Sequence, residues 1–227
     1  MFTALGLTVL TVNLFLPSLR RRRLVAGVFS RAFLRAAGIP FTVEGLNRLP
    51  QTPCVVVANH ASYIDGLVAA AALPPDFAFV IKKEMVRVPL AGLLLRRLGS
   101  QFVERFDRHK GGVDARRVLK LAATGQSLVF FPEGTFTHVA QIGKFLGGAF
   151  TTAARSDMPV VAIAIHGTRA VLPPGGVRVQ VPAIVLPAAG RANAGRWIQV
   201  PARVWVQVPA GVVSPAPTAS PAKSASH

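Results

Sequence analysis

Residues 2–19 carry no charge, and Arg20, Arg21, Arg22 and Arg23 follow at once. At ~1.5 Å per residue such a helix would measure about 27 Å, against a hydrocarbon core of ~30 Å, so it could span or lie within one leaflet. Beyond the cluster, Leu24, Val25, Val28, Phe29, Ala32, Phe33 and Ala36 recur at helical spacing, with Arg23, Arg31 and Arg35 on other faces. That pattern predicts an interfacial amphipathic helix, with a buried helix bearing a solvated basic face as the alternative. From about residue 41 onward, short apolar runs alternate with helical patterns. The strands expected are Cys54–Ala58, Phe77–Ile81, Gln101–Glu104, Leu128–Phe131, Val160–Ile165, Val177–Val181 and Val204–Val208. The helices expected are Gly66–Ala72, Pro89–Leu98, Val113–Thr124 and Gly148–Arg155. Continuous apolar strands separated by helices belong to a sheet covered on both faces. The class is therefore α/β: a central mostly parallel or mixed sheet flanked by helices, preceded by an N-terminal membrane-docking helical segment.

The expected organisation is an N-terminal apolar and basic segment over 1–38, one domain over 39–213 and a disordered tail over 214–227. The tail is Ser, Pro and Ala with one Lys, too little apolar surface to order itself. Pro187 to Pro201 shows no clear period and reads as loop or short helix.

Charge changes the picture. In 227 residues, 26 Lys and Arg oppose 9 Asp and Glu, a net +17, while 51% of the chain is hydrophobic. Such a surplus attracts nucleic acid or anionic lipid. A nucleic-acid binder would interleave basic residues with exposed aromatics, whereas the 14 Phe here sit mostly in apolar runs beside one Tyr and two Trp. An apolar helix abutting four Arg favours an anionic membrane surface, and nucleic acid is disfavoured. The charge follows the apolar stretch, opposite to a cleaved signal peptide, and the positive-inside rule places what lies downstream on the cytoplasmic face of the inner membrane, peripheral or with a single N-terminal anchor. Cys54, the single cysteine, excludes intramolecular disulfides and a Cys-based zinc cage, as expected of a reduced, intracellular chain.

Three polar clusters each directly follow an expected strand: Asn59 to Asp65, Gly99 to Arg105, and Phe130 to Thr135. In open α/β sheets, ligands bind outside the carboxyl ends of strands, so the three suggest one shared site. His60 is suited to take a proton near neutral pH, and a carboxylate on its far nitrogen, Asp65, would fix the tautomer. Their spacing lets them meet only if the chain turns between them; otherwise His60 ends a strand and Asp65 caps a helix. Glu133, between Pro132 and Gly134 after an apolar run, is poorly placed for a solvated partner, although a structural pairing with Arg is open. Gly134 and Thr135 could begin a turn whose N–H groups face the site. Arg105 has the planar fork that binds phosphate, or is an ordinary surface Arg. Ser62 stands too close to His60 in sequence for a productive Ser-His pair, which disfavours a serine hydrolase.

Together the clusters resemble the glycerolipid acyltransferase family, the 1-acyl-glycerol-3-phosphate acyltransferases and their relatives. Asn59-His60-Ala61-Ser62-Tyr63-Ile64-Asp65 matches that family's N-H-x-S-x-x-D block, Gly99 to Arg105 its second, Phe131-Pro132-Glu133-Gly134-Thr135 its F-P-E-G-T block, and Met158-Pro159-Val160-Val161 its fourth. Lys144-Phe145 and Gly148-Ala149-Phe150 resemble the run between the last two. The resemblance implies that His60, supported by Asp65, is general base on the hydroxyl of a lysophospholipid. That hydroxyl attacks a thioester of acyl-CoA or acyl carrier protein, with 1-acyl-glycerol-3-phosphate giving phosphatidic acid. It implies substrate-binding roles for Arg105, Glu133, Gly134, Thr135 and Lys144, an apolar tunnel for the acyl chain, and no metal, cofactor or covalent enzyme intermediate. One departure stands out: where the third block usually continues with Arg, this chain has Phe136. Either Arg105, helped by Lys144 or Lys82, suffices for phosphate, or the acceptor is another one, such as a lyso-aminolipid or a phosphate-free alcohol. The rival from another class is a non-catalytic basic protein that binds membrane or nucleic acid.

Overall fold

The computed structural model describes residues 2–104, 108–135, 142–175, 183–187, 197–201 and 204–209, with side chains over 6–104, 112–135, 142–175 and 204–209. Arg105, Phe136, the expected strand Val177–Val181 and the tail 214–227 lie outside the described residues.

The uncharged N-terminal run is not one helix. Pro17, which has no N–H to donate, lies between α1 (Phe2–Phe15) and α2 (Leu19–Ala36). Among the described residues no helix is long and apolar enough to cross a membrane. On α2, Ala26, Gly27, Ser30, Phe33 and Leu34 are buried. Contact with α3 (Asp65–Ala72) is close enough that a Cβ on Gly27 would stand 2.9 Å from the Ala70 carbonyl oxygen. The helix expected to be interfacial therefore has a core face, while Leu24 and Val28 remain exposed.

The Arg cluster is likewise partly spent on the protein. Arg20 pairs with Asp76 at 3.1 Å, and Arg22 donates to the Leu16 carbonyl at 2.6 Å. Arg23 donates to the Leu98 carbonyl and to Gln126 Oε1; burial holds its pKa below the usual value, with Asp76 opposing. Arg97 donates to the carbonyls of Asn13 and Leu14, giving the C-terminal end of α1 both hydrogen-bond partners and a favourable charge.

The remaining elements build a seven-stranded sheet in the order β1-β9-β6-β2-β5-β3-β4. The strands are β1 (Phe41–Glu44), β2 (Val55–Ala58), β3 (Phe77–Lys82), β4 (Gln101–Val103), β5 (Ser127–Phe130), β6 (Val160–His166) and β9 (Val204–Gln207). The five from β6 to β4 are parallel to one another; β9 is antiparallel to β6, and β1 is parallel to β9. The fold is thus α/β with a mixed, mostly parallel sheet. All four residues of β2 are buried, because its side chains meet helices on both faces. Val56 and Ala58 share a core with Val68 and Ala69 of α3; Val55 and Val57 share another with Val118 of α5 (Arg108–Ala123) and Ala149 and Ala153 of α6 (Gly148–Arg155). Each fully buried Val contributes about 1.5–3 kcal/mol of hydrophobic stabilisation.

Two features depart from the sequence reading. The first strand, Phe41–Glu44, alternates half-buried and exposed positions at a sheet edge, a pattern too short to stand out. The span Pro187 to Pro201, read as loop or short helix, instead carries strand at both ends: β7 (Ala183–Pro187) pairs antiparallel with β8 (Trp197–Pro201). Trp, Ile and Val favour strand at 197–200, while the Pro at each strand end disguises it. The remaining helices are α4 (Ala91–Arg97) and α7 (Thr168–Val171).

The order of the strands places a crevice. After β2 the chain moves to β3 by way of α3 on one face; after the adjacent β5 it moves to β6 by way of α6 on the other. Neighbouring strands whose connections part in this way form the topological switch point where α/β sheets bind ligands.

Candidate active site

At the carboxyl end of β2, Asn59 extends the sheet with its side chain. Its Nδ2 donates to the Ile165 carbonyl at 2.9 Å, and the Ile165 N–H donates back to Oδ1 at 2.7 Å. The chain then turns sharply. Ser62, fully buried, donates its hydroxyl to the Leu172 carbonyl at 2.6 Å, which engages it in structure rather than with His60.

Asp65 opens α3 and is fully buried. One of its oxygens, Oδ2, receives the N–H of Ala61 at 2.6 Å, the N–H of Ser62 at 2.8 Å, and lies 2.9 Å from His60 Nδ1. The carboxylate therefore folds the turn between the two residues and meets the imidazole, rather than serving only as a helix cap. A proton on Nδ1 facing this carboxylate puts the basic lone pair on Nε2, and an imidazolium formed there is stabilised by the buried charge. Phe131 packs on the ring, centroids 4.6 Å apart, and restricts its plane. The His60 side chain retains 20% exposure, so a reacting group can reach it.

Glu133 arrives from the adjacent strand. Its Oε1 accepts the His60 N–H at 2.8 Å and its Oε2 accepts the Gly143 N–H at 2.7 Å. It thus joins the end of β2 to the segment 142–147, which is also held by the Leu146 N–H on the Pro132 carbonyl. Backbone N–H groups, not an Arg, are its partners among the described residues. Gly134 stands at φ 76°, a left-handed conformation that glycine adopts without penalty, and its N–H closes the turn onto the Phe131 carbonyl. Replacing Glu133 by alanine removes the charged acceptor of the part-buried His60 N–H and of the exposed Gly143 N–H, which water can then serve, and should cost about 1–2 kcal/mol in denaturant unfolding. Glu133→Gln, whose amide oxygen still serves one of them, should cost less.

His60, Asp65, Glu133 and Gly134 therefore converge. Thr135 and Lys144 are exposed beside them and make no described hydrogen bond to the cluster. Sequence reasoning did not identify Gly143, whose contribution is a backbone N–H and leaves no side-chain signal.

A family model described as Acyltransferase matches residues 40–166. A chloroplastic 1-acyl-sn-glycerol-3-phosphate acyltransferase of Brassica napus is 35% identical over 135 residues, covering 59% of this chain and 39% of that protein. A lyso-ornithine lipid O-acyltransferase of Pseudomonas aeruginosa is 32% identical over 137 residues, 59% of this chain and 50% of that one. The chain thus spans half or less of the length of these curated relatives. The crystal structure of the 1-acyl-sn-glycerophosphate acyltransferase PlsC from Thermotoga maritima superposes with a TM-score of 0.66 at 22% identity, over 95% of this chain and 80% of that one, a likeness of fold. With the family model matched across the strands and turns that build the His60 site, the chain belongs to the acyltransferase family.

Proposed function

We propose that the protein moves a fatty acyl group from a phosphopantetheine thioester, on CoA or a carrier protein, to the hydroxyl of a lysophospholipid, with 1-acyl-glycerol-3-phosphate as acceptor and phosphatidic acid as product. The observation that carries the reading is the 2.9 Å contact of His60 Nδ1 with a buried Asp65 at the switch point. His60 Nε2 takes the acceptor's hydroxyl proton as the oxygen attacks the thioester carbonyl. Collapse of the tetrahedral intermediate breaks the C–S bond, and the thiolate leaves with the proton from His60. The substrate hydroxyl is itself the nucleophile, so no acyl-enzyme forms. Arg105 binds the acceptor phosphate, with Lys144 as a second cation, while Glu133, Gly134 and Thr135 shape the acceptor pocket.

The protein acts at the cytoplasmic face of an anionic membrane. Leu7, Leu14 and Phe15 of α1 and Leu24 and Val28 of α2 are exposed, Phe15 at 82%, and these suit burial in one leaflet beside Arg21 and Arg35. The acceptor has a second reading, a lyso-aminolipid. Phe136 where the family usually has Arg, and similarity to a lyso-ornithine lipid acyltransferase, both favour it.

Initial rates with labelled acyl-CoA across 1-acyl-glycerol-3-phosphate, 1-acylglycerol and a lyso-aminolipid decide between the two. The first reading expects at least about a tenfold kcat/KM advantage for the phosphate-bearing acceptor, the value of one charge-assisted contact. No advantage over neutral acceptors removes Arg105 from its role.

A further inference from the structure

A cavity of about 600 Å³ lies where the C-terminal end of α2 meets the first residues of β1, at an edge of the sheet. Arg31 and Arg35 line it together with the turn from Gly38 to Thr42, and no described acid does. Glu44 is the acid nearest in sequence. Phe41 and Val43 pack on the core that Phe33 and Leu34 of α2 share, so Glu44, one residue out of step, belongs to the opposite face of the strand. Both cations are unspent among the described residues. Arg31 gives its Nε to the Ala71 carbonyl at 2.7 Å, which fixes the guanidinium plane and leaves the Nη groups, and Arg35 is exposed with no described hydrogen bond or ion pair.

The carbonyls at a helix C-terminus ordinarily repel an anion. Here those of Phe33, Leu34 and Arg35 already accept the N–H groups of Ala37, Ile39 and Gly38. The strand supplies a donor instead. The Val204 N–H pairs with the Pro40 carbonyl, and in that parallel register the Phe41 N–H faces away from β9, outward from the sheet edge.

The surface leading to this cavity is apolar. Leu24, Val28, Arg31 and Arg35 are all exposed and, at 3.6 residues per turn, fall within about 60° of arc on α2. Val28 stands about 4.5 Å along the helix axis from Arg31, and Leu24 about 10.5 Å. Two aliphatic side chains followed by two unpaired guanidinium groups match an amphiphile with hydrocarbon at one end and a phosphate at the other. A free anion would use half of this stripe, and a polyanion would find no further cation lining the cavity.

We propose that the Arg31–Arg35 cavity holds the phosphate of one anionic phospholipid of the membrane, whose chains enter the leaflet beside Val28 and Leu24. The inference deepens the membrane reading above, rests on it, and is independent of which acceptor reaches His60. It puts a discrete lipid site where net charge alone would give a diffuse attraction.

The test titrates the full chain by calorimetry with dihexanoyl-phosphatidylglycerol below its micelle concentration. Co-sedimentation with phosphatidylcholine vesicles, with and without phosphatidylglycerol, is measured beside it. Wild type should bind one short-chain lipid per chain. Arg35→Lys keeps the charge and loses the planar fork, and should weaken that binding about tenfold, while Arg155→Lys, exposed on α6, leaves it unchanged. Glycerophosphoglycerol, the same head group without chains, should compete at least about tenfold more weakly. Equal competition makes the cavity a site for soluble phosphates and overturns the lipid assignment. Binding unaltered by Arg35→Lys, or no saturable one-to-one phase, overturns the site. The vesicles separate the two readings. No wild-type preference for vesicles containing phosphatidylglycerol overturns the membrane reading and the site with it. A preference kept in full by Arg35→Lys, with its short-chain binding also intact, sinks the cavity alone.

Discussion

Replacing His60 by alanine should lower kcat for acyl transfer by about 100- to 10,000-fold, the range expected for loss of a general base, with far smaller changes in either KM. An acceptor alcohol at neutral pH is almost wholly protonated, and attack on a thioester without proton removal must form a cationic oxygen. His60 is part-exposed, so truncation removes the ring without opening a large core cavity. Its backbone N–H, which holds Glu133, is retained in the variant. Circular dichroism and the denaturation midpoint should stay close to wild type, so that the loss is chemical. A variant that transfers acyl groups at the wild-type rate would exclude His60 from the reaction.

Asp65→Asn carries the second largest expected effect and a different signature. Oδ2 takes two backbone N–H groups and the His60 ring, while Oδ1 is buried with no hydrogen-bond partner among the described residues. The amide oxygen can occupy the Oδ2 position, which leaves an NH2 group where Oδ1 stood, with nothing to receive it. The expected cost is about 1–3 kcal/mol of stability, on the scale of an unsatisfied buried donor. Activity should fall by about 100- to 10,000-fold, because the neutral amide no longer stabilises the imidazolium. If the denaturation midpoint falls but kcat is preserved, Asp65 is a structural brace for the turn and nothing more. The Glu133 variants should show the reverse balance, with stability lost ahead of chemistry.

The core of this site was legible in the sequence because its groups are side chains at strand ends. His60 and Asp65 stand in one turn, and Glu133 follows an apolar run that reads as a buried strand and is one, β5. What escaped was carried by the backbone or by tertiary contact. The Gly143 N–H leaves no trace in composition, and β1 is too short for its alternation to declare itself. Asp114 was visible as one of nine acids, spaced three from Arg117 on an expected helix. Its burial against Glu104 and Lys83 depends on how β3, β4 and α5 meet. The four-Arg cluster shows the opposite limit: composition pointed all of it at lipid, while Arg22 and Arg23 hydrogen-bond to the protein. Charge counts report valence, and only packing reports which charges are left over.

The central claim is transfer by the His60–Asp65 pair from a thioester to a lipid hydroxyl. Its most direct test is simultaneous measurement of free thiol and labelled lipid, using full-length protein, acyl-labelled CoA and 1-acyl-glycerol-3-phosphate in mixed micelles. The account predicts one thiol released for each labelled diacyl product, and neither above background with His60→Ala. Thiol release without labelled lipid, or equal yields from wild type and His60→Ala, would contradict it.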